Sequence, residues 1–367
     1  SREQIFEQDG FEELNINSWN DVDIILNGKK YKTDFRFLNP EQAEDIHLKM
    51  FRKTQTPFDN AMPRAIADIG DNIRICAERC PIVDKDVAIA SSIRKVRAGF
   101  VSKEELLSWG TATAEMIDFL LLCLRYGVSI CVSGETGSGK TTLSGALIAI
   151  ISQNLRTITI EEGSREWQFR QQDDNNTGFK NSVVHLKTRP SENENQNITQ
   201  EVLVKDALRL DPDFLPIGEI RGAESFEVMG ASNTGHTVIT TIHSNGTTDT
   251  PLRLITLAKK AYDMSDSTLL SMAVQAFPIL VHIEKCPDNV RRITEISEVL
   301  DYDGNVIHQN MLYEFETTDT SYENDGITVA ETKGNFVRSG NLSRKLQKRL
   351  LKKGTPRMEI LKYGGEQ

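Results

Sequence analysis

The feature that most constrains the fold is a glycine-rich stretch near the middle of the chain. Residues 134–141 read Gly-Glu-Thr-Gly-Ser-Gly-Lys-Thr, which is a complete P-loop pattern. A short β-branched run, Val128–Ser133, precedes it, and apolar residues at helical spacing follow it from Leu143 to Ile151. A P-loop needs this strand–loop–helix context, because loop amides and the helix N-terminus together bind phosphate. The segment therefore predicts a nucleotide site in an α/β domain.

The residue types of the loop suit ATP and Mg²⁺ as cofactors. Glycines let backbone N–H groups turn towards the phosphates without side-chain clashes. Lys140 is predicted to neutralise the β- and γ-phosphates, and Thr141 is the predicted Mg²⁺ ligand through its hydroxyl. The predicted cofactor-binding residues of this segment are Gly134, Glu135, Thr136, Gly137, Ser138, Gly139, Lys140, Thr141 and Thr142.

Further strands are predicted downstream of the loop. Arg156–Ile160, Phe214–Ile217 and Thr237–Ile242 are near-continuous apolar or β-branched runs. Strands that are covered on both faces have this composition, so the pattern predicts a parallel sheet with helices on both sides.

Pattern changes along the chain predict the domain organisation. Residues 1–97 read as a smaller α+β domain, with a strand at Asp23–Leu26 that runs into a turn signal at Asn27-Gly28. Residues 98–110 are the predicted linker, 111–315 the nucleotide-binding domain, and 316–367 a polar segment followed by a basic helix. Within the last region, Thr317–Thr332 is predicted to be mobile because it is polar.

The basic helix near the end carries Leu342, Leu346 and Leu350 at a spacing of four, with six Lys or Arg residues between positions 344 and 353. Such a helix is amphipathic. A docked terminal helix with a solvated basic face is the favoured interpretation. Contact with a membrane or an acidic partner is the alternative.

Composition narrows the function classes. The formal net charge of −10 argues against broad binding to nucleic acid, which needs surplus Lys and Arg. No apolar run is long enough to span a bilayer, and the first residues lack the apolar region of a secretory signal, so a cytoplasmic location is expected. Cys76 and Cys80 have no second pair to complete a zinc site, so the five cysteines are expected to be reduced thiols.

Three acidic residues lie at predicted strand ends, where ligands bind in parallel sheets. Glu161 and Glu162 end the strand after the P-loop helix and are candidates for holding Mg²⁺ through water or for orienting the attacking water. Glu219 ends a later strand, two residues before Arg221, and is the preferred residue for polarising water.

Two histidines, His236 and His243, flank the predicted strand TVITTI. An imidazole near the γ-phosphate can sense its loss and relay that change to a neighbour. The alternative for each position is a structural histidine whose ring nitrogens are hydrogen-bonded within the fold.

Taken together and in this order, four segments resemble the traffic ATPases of type II and type IV secretion systems, type IV pili and conjugation. The resemblance extends from about residue 20 to 350. GETGSGKTTL is similar to the family's Walker A motif, and TIEEGSREW resembles its Asp box, with Glu162 where the family usually has Asp. LRLDPDFLPIGEIRGAES resembles its acidic Walker B segment with the following Arg221, and TGHTVITTIHSN resembles its His box.

The resemblance implies an N-terminal domain, a linker and a RecA-like ATPase domain, assembled as a homo-oligomer with six subunits. It implies that Arg74 and Arg94 reach the nucleotide from the N-terminal domain and act in catalysis with Glu219, Glu161 and His243. It adds Glu162, Arg221 and His236 to the cofactor-binding residues, with Glu162 near Mg²⁺. The implied partners are platform or channel proteins of the inner membrane, with the chain at the inner face of the membrane and no direct contact with nucleic acid.

The predicted function is therefore that of a Mg-ATP-hydrolysing ring motor for pilus assembly or for type II/IV secretion, including conjugation. Two alternatives share the P-loop. A RecA-like nucleic-acid motor would be strongly stimulated by single-stranded DNA, and a regulatory ATP-binding protein would hydrolyse little ATP whatever stands at position 219.

Overall fold

A computed structural model describes residues 10–26, 29–70, 73–95, 99–173, 178–191 and 193–364. The chain divides into two compact units. Unit 1 comprises Ser1–Gly99 with Gly163–Glu166, and unit 2 comprises Phe100–Glu162 with Trp167–Gln367. The division at residue 99 falls inside the segment 98–110 that was predicted as the linker.

The described part of unit 1 contains an antiparallel sheet and a long helix. Its strands are β1 (Phe11–Ser18), β2 (Asp21–Leu26), β3 (Lys29–Lys32), β4 (Arg64–Ile69), β5 (Ile73–Arg79) and β6 (Ile89–Lys95). Their order is β3-β2-β1-β6-β5-β4. The helix α1 (Pro40–Lys53) begins after Asn39, whose side chain accepts the Gln42 N–H as an N-cap, and it buries Phe51 in the core of the unit. The predicted turn at Asn27-Gly28 lies outside the described residues.

Unit 2 contains a larger sheet. Its strands are β7 (Ile130–Ser133), β8 (Thr157–Glu161), β9 (Val183–Lys187), β10 (Phe214–Ile220), β11 (Thr237–Ile242), β12 (Ile279–Lys285), β13 (Arg291–Tyr302), β14 (Ile307–Tyr322) and β15 (Val329–Arg338). Its helices are α2 (Lys103–Ser108), α3 (Ala114–Arg125), α4 (Lys140–Ile151), α5 (Gln200–Ala207), α6 (Ser225–Asn233), α7 (Thr250–Ala258), α8 (Asp266–Ala276), α9 (Arg344–Lys352) and α10 (Arg357–Gly364). Short 3₁₀ turns lie at Glu194–Gln196 and Leu208–Leu210.

The strand order of this sheet is β15-β14-β13-β12-β7-β11-β10-β8-β9. The six strands from β12 to β9 pair in parallel, and β13, β14 and β15 extend the sheet as an antiparallel meander. The predicted parallel sheet is therefore confirmed. In this arrangement the carboxyl ends of β7, β11, β10 and β8 are neighbours along one edge of the sheet.

Both faces of the sheet are covered by helices. One core joins α3 and α4 to the C-terminal helices through residues such as Phe119, Leu147 and Leu350. The other lies under α5, α6, α7 and α8. Adjacent strand residues alternate between the two cores, since Val132 belongs to the first and Cys131 to the second.

The polar segment predicted from residue 316 onwards is ordered as two strands. The mobile segment expected at Thr317–Thr332 instead forms the ends of β14 and β15, which pair in register from Tyr313↔Arg338 to Tyr322↔Val329. Backbone hydrogen bonds between neighbouring strands hold it, although few of its side chains are buried. The chain also ends in two helices where one was predicted.

Within the described part of the chain, no helix has the length and apolarity needed to cross a membrane.

Candidate nucleotide-binding site

The P-loop connects β7 to α4 and depends on glycine at two positions. Gly134 has φ of +152°, and a Cβ atom there would lie 2.2 Å from the carbonyl oxygen of Ile283. Gly139 has φ of +100° and stands at the N-cap position of α4. A side chain at either position would strain the backbone or clash with β12, so the loop keeps its tight curve only with these glycines.

Lys140 lies inside the curve of the loop and is only 6% exposed. Its Nζ donates hydrogen bonds to the carbonyl oxygens of Gly134 and Glu135, each at 2.8 Å. Burial lowers the pKa of Lys140 from its ordinary value, and the nearby Glu219 carboxylate opposes that shift. The ammonium group is thus held at the N-terminus of α4, where an incoming phosphate can replace the two carbonyl oxygens.

The strand ends next to the loop bring two predicted catalytic residues to this lysine. His243 directly follows β11, and its Nδ1 lies 3.4 Å from Nζ of Lys140. The Nε2 atom of the same ring lies 2.9 Å from Oε1 of Glu219 on β10. Lys140, His243 and Glu219 therefore form a continuous polar chain along the carboxyl edge of the sheet. His243 also lines an open cleft with Gly134, Glu135, Thr136, Ser244 and Asn245.

Arg221 extends this chain to the first acidic pair. Its guanidinium lies 3.0 Å from Oε2 of Glu219 and 3.1 Å from Oε2 of Glu162. The Glu162 side chain is more than half exposed and directed towards Arg221. Arg221 and Glu219 therefore connect Glu162 to the residues around the P-loop.

Glu161 is the buried member of the pair. Its Oε1 accepts the backbone N–H of Trp167 at 3.1 Å, and the indole N–H of Trp167 donates to the carbonyl oxygen of Thr141 at 3.3 Å. Trp167 thus links the end of β8 to the first turn of α4. Trp167 is the last residue of the segment TIEEGSREW, but no role for it was predicted, because the sequence does not show that its indole reaches α4.

His236 lies at the other end of β11 from His243. Its Nδ1 is 3.3 Å from the carbonyl oxygen of Ala231 and 3.4 Å from Oγ1 of Thr234, both next to the loop that enters the strand. The two histidines flank one strand of six residues, so they lie at opposite ends of that strand, roughly 20 Å apart. The structure therefore does not bring His236 to the P-loop of its own chain, which corrects the expectation that both histidines serve one site.

The predicted arginines lie in unit 1. Arg74 on β5 and Arg94 on β6 are direct cross-strand partners in the antiparallel register. An Nη atom of Arg74 lies 2.6 Å from Oε1 of Glu166, within the same unit. Arg94 is exposed and its neighbour Ile93 is buried, because successive side chains of a strand point to opposite faces of the sheet.

The β12–β13 hairpin contributes contacts to the P-loop that sequence reasoning did not identify. Nε–H of Arg291 donates to the carbonyl oxygen of Gly137 at 3.1 Å, and its Cδ atom lies against Gly139. His282 is buried on β12, and its Nδ1 atom lies 2.8 Å from Oγ of Ser133, the last residue of β7. Burial lowers the pKa of His282. The hairpin therefore supports both the start and the middle of the loop.

The residues at this edge fit Mg-ATP. Oγ of Ser138 is buried in the loop and has no hydrogen-bond partner among the described residues. The described parts of the chain contain no cluster of three or more His, Cys, Asp or Glu side chains that could hold a metal ion alone. Mg²⁺ does not need such a cluster, because it commonly binds one or two protein oxygens together with phosphate oxygens and water. Thr141, at the start of α4, is the residue whose hydroxyl would supply the protein oxygen.

Comparison with solved structures identifies the fold. The ATPase DotB of Legionella pneumophila aligns with a TM-score of 0.57 at 20% sequence identity, over 80% of this chain and 78% of that chain. The predicted fold class is confirmed: an α/β, RecA-like P-loop domain with a smaller N-terminal α+β domain.

Sequence comparison identifies the family. An uncharacterised protein of Methanocaldococcus jannaschii is 34% identical over 242 residues, which cover 58% of this chain and 41% of that protein. The type IV secretion system protein PtlH of Bordetella pertussis is 34% identical over 173 residues, which cover 46% of this chain and 48% of PtlH. The chain thus matches less than half the length of either relative. The family model described as "Type II/IV secretion system protein" matches residues 52–342, and the chain belongs to that family.

Proposed function

We propose that this chain binds Mg-ATP at the P-loop edge, hydrolyses it, and works as one subunit of a ring motor for pilus assembly or for type II/IV secretion, including conjugation. The observation that carries the proposal is the continuous contact from Lys140 through His243 to Glu219. It connects a phosphate-binding cation to a carboxylate at the place where the γ-phosphate of a P-loop nucleotide would lie.

In the proposed reaction, the loop amides and Lys140 bind the phosphates, and Thr141 supplies the protein oxygen for Mg²⁺. Bound Mg²⁺ supplies positive charge at the phosphate oxygens. Glu219 orients the attacking water with its carboxylate and accepts a hydrogen bond from it. Arg221 and His243 keep that carboxylate in place through contacts of 3.0 and 2.9 Å.

The buried acidic residue has a second proposed role. Glu161 is fixed by the backbone N–H of Trp167, and the same tryptophan holds the carbonyl of Thr141. We assign Glu161 to positioning water around Mg²⁺. The exposed Glu162, with its ion pair to Arg221, belongs to the outer part of the site.

Assembly into a hexamer is part of the proposal. Arg74 and Arg94 are cross-strand partners, and two like charges opposite each other repel. Glu166 pairs with Arg74 at 2.6 Å and offsets part of that repulsion. A phosphate at the two guanidinium groups would offset it further, since guanidinium groups bind phosphate oxygens with two parallel hydrogen bonds. We propose that both arginines bind the nucleotide and couple its binding to closure of the N-terminal domain. His236, at the opposite sheet edge, would then serve the nucleotide of a neighbouring subunit.

The proposed partners are platform or channel proteins of the cell membrane, with the chain at its cytoplasmic face. The family match supports this, as does the similarity to PtlH of Bordetella pertussis, a type IV secretion system protein. Nucleic acid is not a proposed ligand, since the chain carries a formal net charge of −10.

The experiment that tests the proposal measures ATP turnover and binding of a fluorescent ADP analogue, with Lys140→Ala as the variant. We expect Lys140→Ala to lose both binding and turnover while keeping its circular-dichroism spectrum. Nucleotide binding that survives Lys140→Ala would contradict the proposed site. Turnover that depends strongly on single-stranded DNA would contradict the secretion role and favour a nucleic-acid motor.

A further inference from the structure

The two C-terminal helices, α9 and α10, present a surface that combines free cations with exposed apolar side chains. We call it the basic–apolar surface. Its cations are Arg344, Lys348, Lys352, Lys353 and Arg357, and its apolar members are Leu351, Met358 and Leu361. All eight side chains are exposed, and Met358 is 72% exposed.

The helices are anchored by their other faces. Leu346 and Leu350 of α9 are buried in the core of unit 2, and so are Ile360 and Tyr363 of α10. Ser343 caps α9 by accepting the N–H of Leu346. Because both helices pack through these residues, the outward direction of the basic–apolar surface is fixed by the fold.

The charge of this region is opposite to that of the chain. Residues 344–362 contain eight Lys or Arg residues and one acidic residue, Glu359, whereas the whole chain has a formal net charge of −10. Glu359 pairs with Lys362 on the same helix. The five cations of the surface have no ion pair with any residue that the structure describes. Their charge is therefore available to a partner.

We propose that the basic–apolar surface binds an anionic lipid bilayer directly. Clustered Lys and Arg side chains are attracted to anionic headgroups, and apolar side chains between them can enter the headgroup boundary. The long aliphatic stems of Lys and Arg suit the same environment. A purely acidic protein partner would explain the cations but not the exposed Leu351, Met358 and Leu361.

Two further points favour this assignment. The family match ends at residue 342, so the surface lies beyond the part of the chain that the family model covers. An anionic membrane also repels a chain of net negative charge, so a local basic surface selects one orientation at the bilayer. The inference deepens the proposed location at the membrane, which otherwise rests on partner proteins alone.

The test is sedimentation of the full chain with vesicles in the absence of nucleotide. We expect binding to vesicles of phosphatidylcholine mixed with phosphatidylglycerol, much weaker binding to pure phosphatidylcholine, and a decrease with added salt. Since no nucleotide is present, a failure of the ATPase proposal leaves this result interpretable.

Charge reversal provides the matched comparison. The variant Arg344→Glu/Lys348→Glu/Lys352→Glu should reduce vesicle binding at least about tenfold and leave ATP turnover unchanged. The control Lys49→Glu/Arg52→Glu/Lys53→Glu changes the net charge equally, at exposed positions of α1 in unit 1, and should bind vesicles nearly as the unmodified chain does.

Three results would overturn the proposal. The unmodified chain could fail to bind anionic vesicles. The two triple variants could lose binding equally, which would make the effect one of total charge. The chain could bind polyglutamate but not vesicles, which would assign the surface to an acidic protein.

Discussion

The imidazole Nε2 of His243 lies 2.9 Å from Oε1 of Glu219. Its other nitrogen, Nδ1, faces Nζ of Lys140 at 3.4 Å. A lysine ammonium only donates hydrogen bonds and a carboxylate only accepts them, so the two ring nitrogens of His243 face groups of opposite hydrogen-bonding character. His243 thereby links the group that binds phosphate to the group that is proposed to orient water. When Lys140 turns to a phosphate, one of the two contacts of His243 changes, and the ring can register that change.

The first prediction concerns Glu219. Glu219→Gln should keep nucleotide affinity within about twofold but lower turnover by about a hundredfold or more, because an amide cannot accept the proton of the attacking water. Nucleotide titration and a phosphate-release assay measure the two quantities. Wild-type turnover in this variant would remove Glu219 from its assigned role and favour a protein that binds ATP for regulation.

The second prediction concerns Arg291, which donates to the carbonyl oxygen of Gly137 in the P-loop. Arg291→Ala should weaken nucleotide affinity by roughly ten- to a hundredfold, because loss of a hydrogen bond from a charged donor costs about 1.5–3 kcal/mol. The kcat at saturating ATP should change less. Lys285→Ala is the control, since Lys285 is exposed and pairs with Arg291 in the hairpin register. If the two variants weaken nucleotide affinity equally, the positive charge of the hairpin is responsible, and the hydrogen bond to Gly137 is not.

The third prediction concerns the opposed arginines. Arg74→Ala and Arg94→Ala should each lower turnover at least tenfold, as expected for cations that stabilise phosphoryl-transfer charge. Arg64→Ala on the adjacent strand β4 removes the same charge from the same sheet and should leave turnover unchanged. If all three variants behave alike, the cross-strand pair has no special role. Unchanged turnover in both Arg74→Ala and Arg94→Ala would mean that neither arginine contacts the nucleotide during hydrolysis.

The fourth prediction concerns stability and pH. Asp288, in the turn between β12 and β13, accepts two hydrogen bonds from Arg292 at 2.7 and 2.8 Å, and this pairing lowers the pKa of Asp288 to about 2. A carboxyl whose folded pKa is depressed stabilises the fold above its ordinary pKa of 3.8 and loses that contribution as pH falls towards 2.

Asp288→Asn should therefore lower the free energy of unfolding by about 2 kcal/mol at neutral pH, with a smaller difference below pH 4. Urea unfolding at several pH values measures it. A difference that stays constant between neutral and acidic pH would mean that the ionised carboxylate is not the source of the stability.

Much of this fold follows from sequence, because parallel strands covered on both faces must be nearly continuous apolar runs. Val128–Ser133 and Thr237–Ile242 were located by that pattern, and the P-loop between strand and helix fixed their connection. The hairpin of β14 and β15 was missed because backbone pairing holds it. Its polar side chains, including those of Thr317–Thr332, carry no apolar alternation.

The site, like the fold, contains some residues that the sequence predicts and others that it does not. Lys140, Glu219 and His243 meet because each lies at or just beyond the carboxyl end of a strand in one parallel sheet, and motif spacing reveals that. His236 was grouped with them because it flanks the same strand as His243 and belongs to the segment that resembles a His box, but a strand of six residues separates the two histidines. Arg291 could not be predicted from sequence, since its contact with Gly137 depends on a hairpin about 150 residues away.

ATP turnover per subunit, measured with Mg²⁺ over a wide range of protein concentration, tests the central claim most directly. The proposed ring motor predicts turnover that rises with concentration to a plateau, because neighbouring subunits complete each site. Mass measurement at the lowest concentration must accompany it, so that a ring that never dissociates can be recognised. A fully active monomer at that concentration would contradict the motor.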